Sequence, residues 1–385
     1  MIKRKILFLK SGSFSEINKN VYNFLTEEFP DCSVEIYDTK AKDINFLYYI
    51  KNFYFFIIEY GLDILLGKKS WKEAPIWFFA TSYVSTVINQ KIQKAHKNPD
   101  YLFTFQTQSI FNGKLNGIHH FVYTDHTTQT NKLYPGVNAK KFMRSKRFIQ
   151  RVEARIYQDA TLLFTFGSLV KWSLINQYKI GPQKVITAFA GSNIPDPVSL
   201  NIQKYQRKNI LFVGVEWERK GGPILVEVFK NLIKKYPDAS LTIVGCHPDI
   251  SLPNCKIVGK IPVEGVGEYY NHASVFCLPT LREPFGIVFI EAMKYRLPII
   301  ANNIGCIRDL VKNDYNGYLI NNNIEDYTKA ISMLFEDPAK CRQLGENGFH
   351  LAETQFSWKL VGEKVKEYIE PYINQRQEKE EVTDI

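Results

Sequence analysis

Short runs of β-branched and aromatic residues alternate with helical periodicity along nearly the whole chain. In the first half these runs predict strands at Ile6–Leu9, Ser33–Tyr37, Leu102–Phe105, Phe121–Thr124 and Leu162–Phe166. In the second half they predict strands at Ile210–Gly214, Leu241–Val244, Val275–Leu278 and Pro298–Ala301. Strands separated by helices imply parallel sheets covered on both faces. The two series part near Asp196–Lys208, where the prolines of Pro195-Asp196-Pro197-Val198-Ser199 interrupt regular structure. At 385 residues the chain exceeds what one core ordinarily organises. The expected class is α/β: two Rossmann-like, doubly wound domains at 1–198 and 199–365 facing across a cleft, then a C-terminal helix end and polar tail at 366–385. Ligands are expected at the carboxyl ends of the strands. The tail from Gln375 is polar and charged and is expected to fray.

One segment breaks the alternation. Ile44–Leu66 is almost all apolar and aromatic, but Lys51, Glu59 and Asp63 make it a poor spanning helix. With Asn52, those charges gather on about a third of a helical circumference, leaving a broad apolar face. Lys68, Lys69, Trp71 and Lys72 follow at once. Two readings stand: an interfacial membrane anchor, or a helix buried between a sheet and its neighbouring helices.

Charge is unevenly spread. Residues 1–200 hold 26 Lys+Arg against 15 Asp+Glu, and the remainder hold 23 against 24, so the net +10 lies in the first half. That asymmetry fits an anionic partner such as acidic lipid or nucleic acid, or a basic surface serving solubility. No recognisable RNA- or DNA-binding module accompanies it, so nucleic acid is not expected as a partner. The six cysteines are scattered with no C-x-x-C pair, which argues against a zinc site or a disulfide framework and for a reducing cytosol. Ile6–Leu9 is too short for a signal-peptide core. The expected location is cytoplasmic, with peripheral attachment to the cytoplasmic membrane face as the alternative raised by the apolar segment.

The second half carries the chemistry. The strand ending at Gly214 leads into Val215-Glu216-Trp217-Glu218-Arg219-Lys220-Gly221-Gly222 and a helix near Pro223. Glycines permit close backbone approach, a helix N-terminus favours anions, and Arg219 and Lys220 add full positive charge suited to a diphosphate. By itself this run also fits an ordinary solvated turn. A second turn follows Val275–Leu278, with Glu283, Pro284, Phe285 and Gly286 opening another helix. Glu291 lies inside that helix among Val288, Phe289, Ile290, Ala292 and Met293, so its carboxylate requires either a protein partner or a polyhydroxylated ligand. In the first half, Asp125-His126 directly follows the strand ending at Thr124 and points toward the ligand side, unless Asp125 simply fixes His126 in its loop.

These residues resemble the glycosyltransferases of the GT-B fold, in particular the retaining family 4, also described as glycosyl transferases group 1. The resemblance rests on an E-x7-E element, Glu283–Glu291, and a V-G-x5-K-G element, Val213-Gly214 through Lys220-Gly221. Further matches are Gly259-Lys260-Ile261, Tyr270-Asn271-His272-Ala273-Ser274, Pro298-Ile299-Ile300-Ala301, Gly305 with Asp309, and Gly317-Tyr318-Leu319-Ile320. The first half matches in general shape only. The resemblance implies that Lys220 and Arg219 hold a donor diphosphate beside Gly214 and that Glu291 accepts ribose hydroxyls. It implies that Glu283 contacts the transferred sugar, that the backbone of Phe285, Gly286 and Ile287 binds sugar and phosphate oxygens, and that Lys260 and Ile261 border the base. His126 and Asp125 would lie on the acceptor side with Gly12 and Ser13, although the double glycine frequent in the family is missing there. Many members carry Arg where this chain has Val215, and Arg219 is the residue expected to substitute.

The implied reaction is retaining transfer from a UDP-, GDP- or ADP-sugar to a lipid-linked, glycan or other hydroxyl acceptor. The departing phosphate takes the acceptor proton, and no cofactor is needed. No D-x-D pair occurs, so a metal clamp is not expected. The alternatives are a GT-B sugar-nucleotide epimerase and a non-catalytic protein that binds a sugar nucleotide or a partner.

Overall fold

A computed structural model describes residues 4–14, 16–39, 46–97 and 100–383, with side chains described through residue 374. Residues 44–45 of the apolar segment and 384–385 of the tail lie outside the described residues. The chain divides into two units. The first comprises residues 1–133, 138–188 and 361–385, and the second comprises 134–137 and 189–360.

The first unit holds six parallel strands: β1 Arg4–Lys10, β2 Cys32–Asp38, β3 Phe103–Thr107, β4 His119–Thr124, β5 Leu162–Thr165 and β6 Val185–Thr187, in the order β2-β1-β3-β4-β5-β6. The centre of β1, Ile6 to Leu9, is closed to solvent, as a strand covered on both faces must be. Phe8 pairs in register with Ile36 and Phe105. Helix Ile17–Glu28 packs one face inward through Ile17, Val21, Phe24 and Leu25, the i, i+4, i+7, i+8 stripe of an amphipathic helix. Phe24 meets Phe105 edge to face at 5.9 Å. Phe105→Ala would cost about 3–5 kcal/mol by opening a cavity at that junction. Glu153 is a buried carboxylate satisfied by the amide of Thr128 (2.8 Å) and the hydroxyls of Tyr157 (3.1 Å) and Tyr178 (2.5 Å).

The second unit repeats the plan with β7 Asn209–Val213, β8 Ser240–Val244, β9 Cys255–Gly259, β10 Val275–Leu278, β11 Ile299–Asn302 and β12 Gly317–Ile320, ordered β12-β11-β10-β7-β8-β9. Helix Gly222–Lys235 buries Leu225, Val228, Phe229 and Leu232. In each sheet the order reverses beside the first strand of the unit. The reversal falls between β1 and β3 in one and between β7 and β10 in the other, and such switch points are where open α/β sheets place ligands.

Nine of the twelve strands are those expected. β6, β9 and β12 were not anticipated as strands, and each lies at the edge of its sheet. The chain passes to the second unit at Phe189, before the proline-rich stretch. Trp358 Nε1 donates to the Ser192 carbonyl (2.8 Å), Lys294 pairs with Asp196 (2.6 Å) and Asn271 Nδ2 donates to the Ser199 carbonyl (3.0 Å). The final helix runs from Trp358 to Thr383.

The segment expected either to anchor or to be buried is helical from Phe46 to Leu65, with a π turn over Ile57–Gly61. Burial as a whole is not what it shows. Only a narrow stripe faces inward, formed by Tyr48, Asn52, Phe56, Tyr60 and Ile64. Among the described residues no helix is long and apolar enough to cross a membrane.

Candidate functional site

The loops after β7 and β10 flank the switch point of the second sheet, and the structure ties them together. Leu281 N (2.9 Å) and Thr280 Oγ1 (3.2 Å) both donate to the Arg219 carbonyl, while Arg219 Nη1 donates to the Arg282 carbonyl at 2.6 Å. Gly221 takes φ +76°, and a Cβ there would lie 1.9 Å from the Pro279 carbonyl oxygen, so only glycine allows this approach. Gly214 lets the Lys220 stem pass, since a Cβ would sit 3.0 Å from Lys220 Cγ.

Lys220 is thereby aimed at Glu283. Its ammonium hydrogen-bonds Glu283 Oε2, and both side chains are buried. Arg219 Nη1 stands 3.8 Å from the same oxygen. Tyr134, a residue of the short 134–137 excursion in the second unit, donates its hydroxyl to the Glu283 carbonyl at 2.8 Å. Gly286 caps helix Ile287–Lys294 with φ +98°. Phe285 is buried behind it, and the first turn of that helix presents N–H groups that lack intrahelical acceptors.

Glu291 follows on the same helix. Tyr270 donates its hydroxyl to Oε2 at 3.0 Å and the Asn193 amide donates as well, so the carboxyl does have protein partners. Burial nevertheless pushes it up to about 7, against the opposing pull of those hydrogen bonds and of the Lys220 charge. Gly259 ends β9 with φ +77° and accepts from Gly245 N (2.8 Å), after which Lys260 is exposed and Ile261 half-buried.

Arg219 is less available as a substitute cation than expected. Its Nε and Nη2 both bond Glu216, at 2.9 and 3.0 Å, which offsets part of its charge. Val215 is exposed beside it. A second guanidinium, Arg282, lies close enough that Arg219 lowers its pKa, after the larger effect of burial. Sequence reasoning gave no role to Arg282, Glu216, Tyr134, Tyr270 or Asn193. Glu216 and Tyr270 stand inside motifs already noted and Arg282 directly precedes the Glu283–Glu291 element, whereas no local pattern marks Tyr134. Among the described residues no three His, Cys, Asp or Glu side chains converge as a metal site.

In the first unit, Gly12 follows β1 with φ +66°. Its amide donates to Asp38 Oδ1 (3.0 Å), whose other oxygen pairs with Lys10 (2.6 Å), and Ser13 is exposed beyond it. Asp125 and His126 are half-buried after β4. Thr130 Oγ1 lies 2.9 Å from His126 Nδ1, and Thr124 Oγ1 bonds the His126 carbonyl at 2.9 Å, so threonines position this loop.

Two parallel Rossmann-like sheets with paired glycine turns at a switch point define a GT-B protein. A Thermosynechococcus elongatus sucrose-phosphate synthase shares the fold at TM-score 0.69 and 16% identity, covering 97% of this chain and 100% of that one. An Anabaena HepE structure in complex with UDP and glucose does so at TM-score 0.62 and 14% identity, over 95% and 99% of the two chains. Residues 200–351 match the family described as glycosyl transferases group 1. An uncharacterised glycosyltransferase of Haemophilus influenzae is 34% identical over 175 residues, 42% of this chain and 49% of that protein. The chain spans about half the length of the curated relatives it matches.

Proposed function

We propose that the protein is a retaining glycosyltransferase that moves a hexose from a nucleoside diphosphate sugar to a hydroxyl of a membrane-linked or glycan acceptor. The observation that carries this reading is the buried Lys220–Glu283 pair at the β7/β10 switch point, with Arg219 beside it. Breaking the anomeric bond places negative charge on the leaving diphosphate, and fixed positive charge there lowers the barrier. Lys220 and Arg219 supply that charge, so the proposed reaction runs without a metal. As the donor arrives, Lys220 gains the diphosphate as a second anion, and Glu283 turns to the hydroxyls of the sugar. Glu291 accepts from ribose hydroxyls. The amides of Phe285, Gly286 and Ile287 bind sugar and phosphate oxygens, and Lys260 and Ile261 border the base. The acceptor hydroxyl attacks the anomeric carbon from the face the diphosphate leaves, and the departing phosphate oxygen takes its proton. In the first unit, Gly12, Ser13, Asp125 and His126 serve the acceptor.

The match of residues 200–351 to the glycosyl transferases group 1 family and the likeness to a fold neighbour holding UDP and glucose support the donor class. The apolar surface of the first unit supports a membrane-linked acceptor at the cytoplasmic membrane face. The test is a panel of UDP-, GDP- and ADP-sugars, read as thermal stabilisation and slow hydrolysis with and without a chelator. One donor is expected to stabilise the protein and to be hydrolysed equally in both conditions, with hydrolysis lost in Lys220→Ala and Glu291→Ala. A panel in which no sugar nucleotide binds removes the proposal, and loss of turnover with the chelator removes its metal-free form.

A further inference from the structure

The helical segment from Phe46 to Leu65 turns Asn52 and Glu59 toward protein partners, while Lys51 stays exposed. Asn52 is closed to solvent, donating to the Phe78 carbonyl (2.8 Å) and accepting from Thr81 Oγ1 (2.5 Å). Glu59 accepts from Ser82 N (3.1 Å) and from Ser145 Oγ (2.6 Å). The inward residues Tyr48, Asn52, Phe56, Tyr60 and Ile64 recur every four positions. An α-helix overshoots such a stripe by about 40° at each step. The π turn at Ile57–Gly61 rotates less per residue and brings Tyr60 and Ile64 back into line.

The remaining apolar side chains are left outside. Phe46, Ile50, Phe53, Tyr54, Leu62 and Leu65 are each more than half exposed, as are Trp71, Ile76 and Phe79 on the turns that follow. Scattered exposed apolar residues are ordinary, but a dense group on one short stretch marks an interaction surface.

Cations adjoin this face. The run Lys140, Lys141, Arg144, Lys146, Arg147 and Arg151 contains no acidic residue. It is fastened to the apolar segment: Lys69 Nζ donates to the carbonyls of Lys140 (3.1 Å) and Met143 (2.7 Å), and Ser145 N donates to Tyr60 Oη (3.2 Å). The Arg147 guanidinium lies 5.1 Å from the Phe55 ring. The acids of the segment are engaged, Glu59 as above and Asp63 with Lys68 at 3.6 Å.

We infer that this face of the first unit docks on an anionic lipid bilayer. Its aromatic and aliphatic side chains enter the boundary between headgroups and acyl chains, and the basic run meets lipid phosphates. A second copy of the chain placed across a two-fold axis would set these cations against their own copies. A nucleic acid would answer the charge and leave the aliphatic side chains uncovered. The inference rests on the membrane-linked acceptor reading for its purpose only, and lipid binding is measured with no donor present.

The experiment co-sediments the full-length protein with vesicles of phosphatidylcholine and phosphatidylglycerol, and with phosphatidylcholine alone. The wild type is expected to bind the anionic vesicles at low salt and to release as ionic strength rises. Phe53→Ser/Leu65→Ser should lower affinity more than about tenfold. Lys141→Gln/Lys146→Gln should lower it about fivefold per charge on anionic vesicles and leave neutral vesicles unaffected. All four residues are exposed, and an unchanged melting temperature confirms that each variant is folded. No wild-type binding to anionic vesicles overturns the inference, and so does binding that survives both double variants. A wild-type dimer in velocity sedimentation that Phe53→Ser/Leu65→Ser converts to monomer, without vesicle binding, reassigns the face to a second copy. Vesicle binding without turnover of any nucleotide sugar keeps this surface and removes the transferase, and turnover without vesicle binding does the reverse.

Discussion

The ammonium of Lys220 and the carboxylate of Glu283 hydrogen-bond each other in a site nearly closed to solvent. Removing one member of a buried pair strands the other charge. The two losses are unequal here. Without Lys220, Glu283 keeps Arg219 at 3.8 Å, whereas without Glu283, Lys220 loses the carboxylate it hydrogen-bonds and keeps only the weaker, through-space pull of Glu291. Glu283→Ala is therefore expected to destabilise the protein by about 3–5 kcal/mol, and Lys220→Ala by less. The double variant should fall short of the sum by about 1–3 kcal/mol. Chemical denaturation of the four proteins checks this. Strict additivity would mean that the two side chains do not act as a pair.

Glu291 predicts a pH dependence. Burial raises its carboxyl from 4.5 to about 7, so across that window the folded protein holds a proton the unfolded chain has released. Stability from this group is thus present below the unfolded value and lost as pH rises through the folded one. The effect is at most about 3 kcal/mol. Glu291→Gln should remove it, so that the variant gains melting temperature relative to wild type between about pH 5 and about pH 8. Parallel melting curves against pH would falsify the assignment. Binding of the sugar nucleotide should strengthen over the same interval in the wild type alone, because only the ionised carboxylate accepts hydrogen bonds at both oxygens.

What the sequence revealed and what it hid follow from where each element lies. The central strands β1, β4, β5, β7, β10 and β11 are buried within their sheets and each holds an unbroken apolar run, such as Ile6–Leu9 or Ile210–Val213. β6, β9 and β12 each pair on one side only. β6 has just three residues, and β9 alternates partly open positions around exposed Lys256, so neither carries a long apolar signal. Within the site, Lys220 and Glu283 were legible because each sits in a glycine-bearing turn after a strand. Their pairing was not, since 63 residues separate them and the strand order brings β7 beside β10. Tyr134 lies 149 residues from Glu283 and carries no motif. In the apolar segment, composition showed a broad apolar face. It did not show that Asn52 and Glu59 would take the buried side, because that depends on Thr81, Ser82 and Ser145 elsewhere in the chain.

Gly221 tests the union of the two site loops. Its φ of +76° is unfavourable for a side chain, and a Cβ would stand 1.9 Å from the Pro279 carbonyl oxygen, a backbone atom that cannot rotate away. Gly221→Ala should cost upward of about 2 kcal/mol. It should also weaken sugar-nucleotide binding, because separating the loops moves Lys220 from Glu283. Val215→Ala, on the same loop but exposed, is the control and should change neither quantity measurably. Equal stability in the two variants would show that the loop tolerates a side chain and that the close approach does not hold the site.

His126 separates acceptor from donor chemistry. Thr130 Oγ1 lies 2.9 Å from its Nδ1, and Thr124 Oγ1 bonds its carbonyl at 2.9 Å, so the ring direction is set by threonines within its own loop. If His126 serves the acceptor as proposed, His126→Ala should lower transfer about a hundredfold, while donor affinity and slow donor hydrolysis stay as in the wild type. Thr130→Val keeps the imidazole and loosens its orientation, so transfer should fall about tenfold, with the loss in kcat and little change in the donor KM. Steady-state kinetics with donor and acceptor varied separately give the answer. A His126→Ala protein that loses donor binding along with transfer would move this residue out of the acceptor role, and one that transfers normally would leave it as a loop histidine held by Thr130.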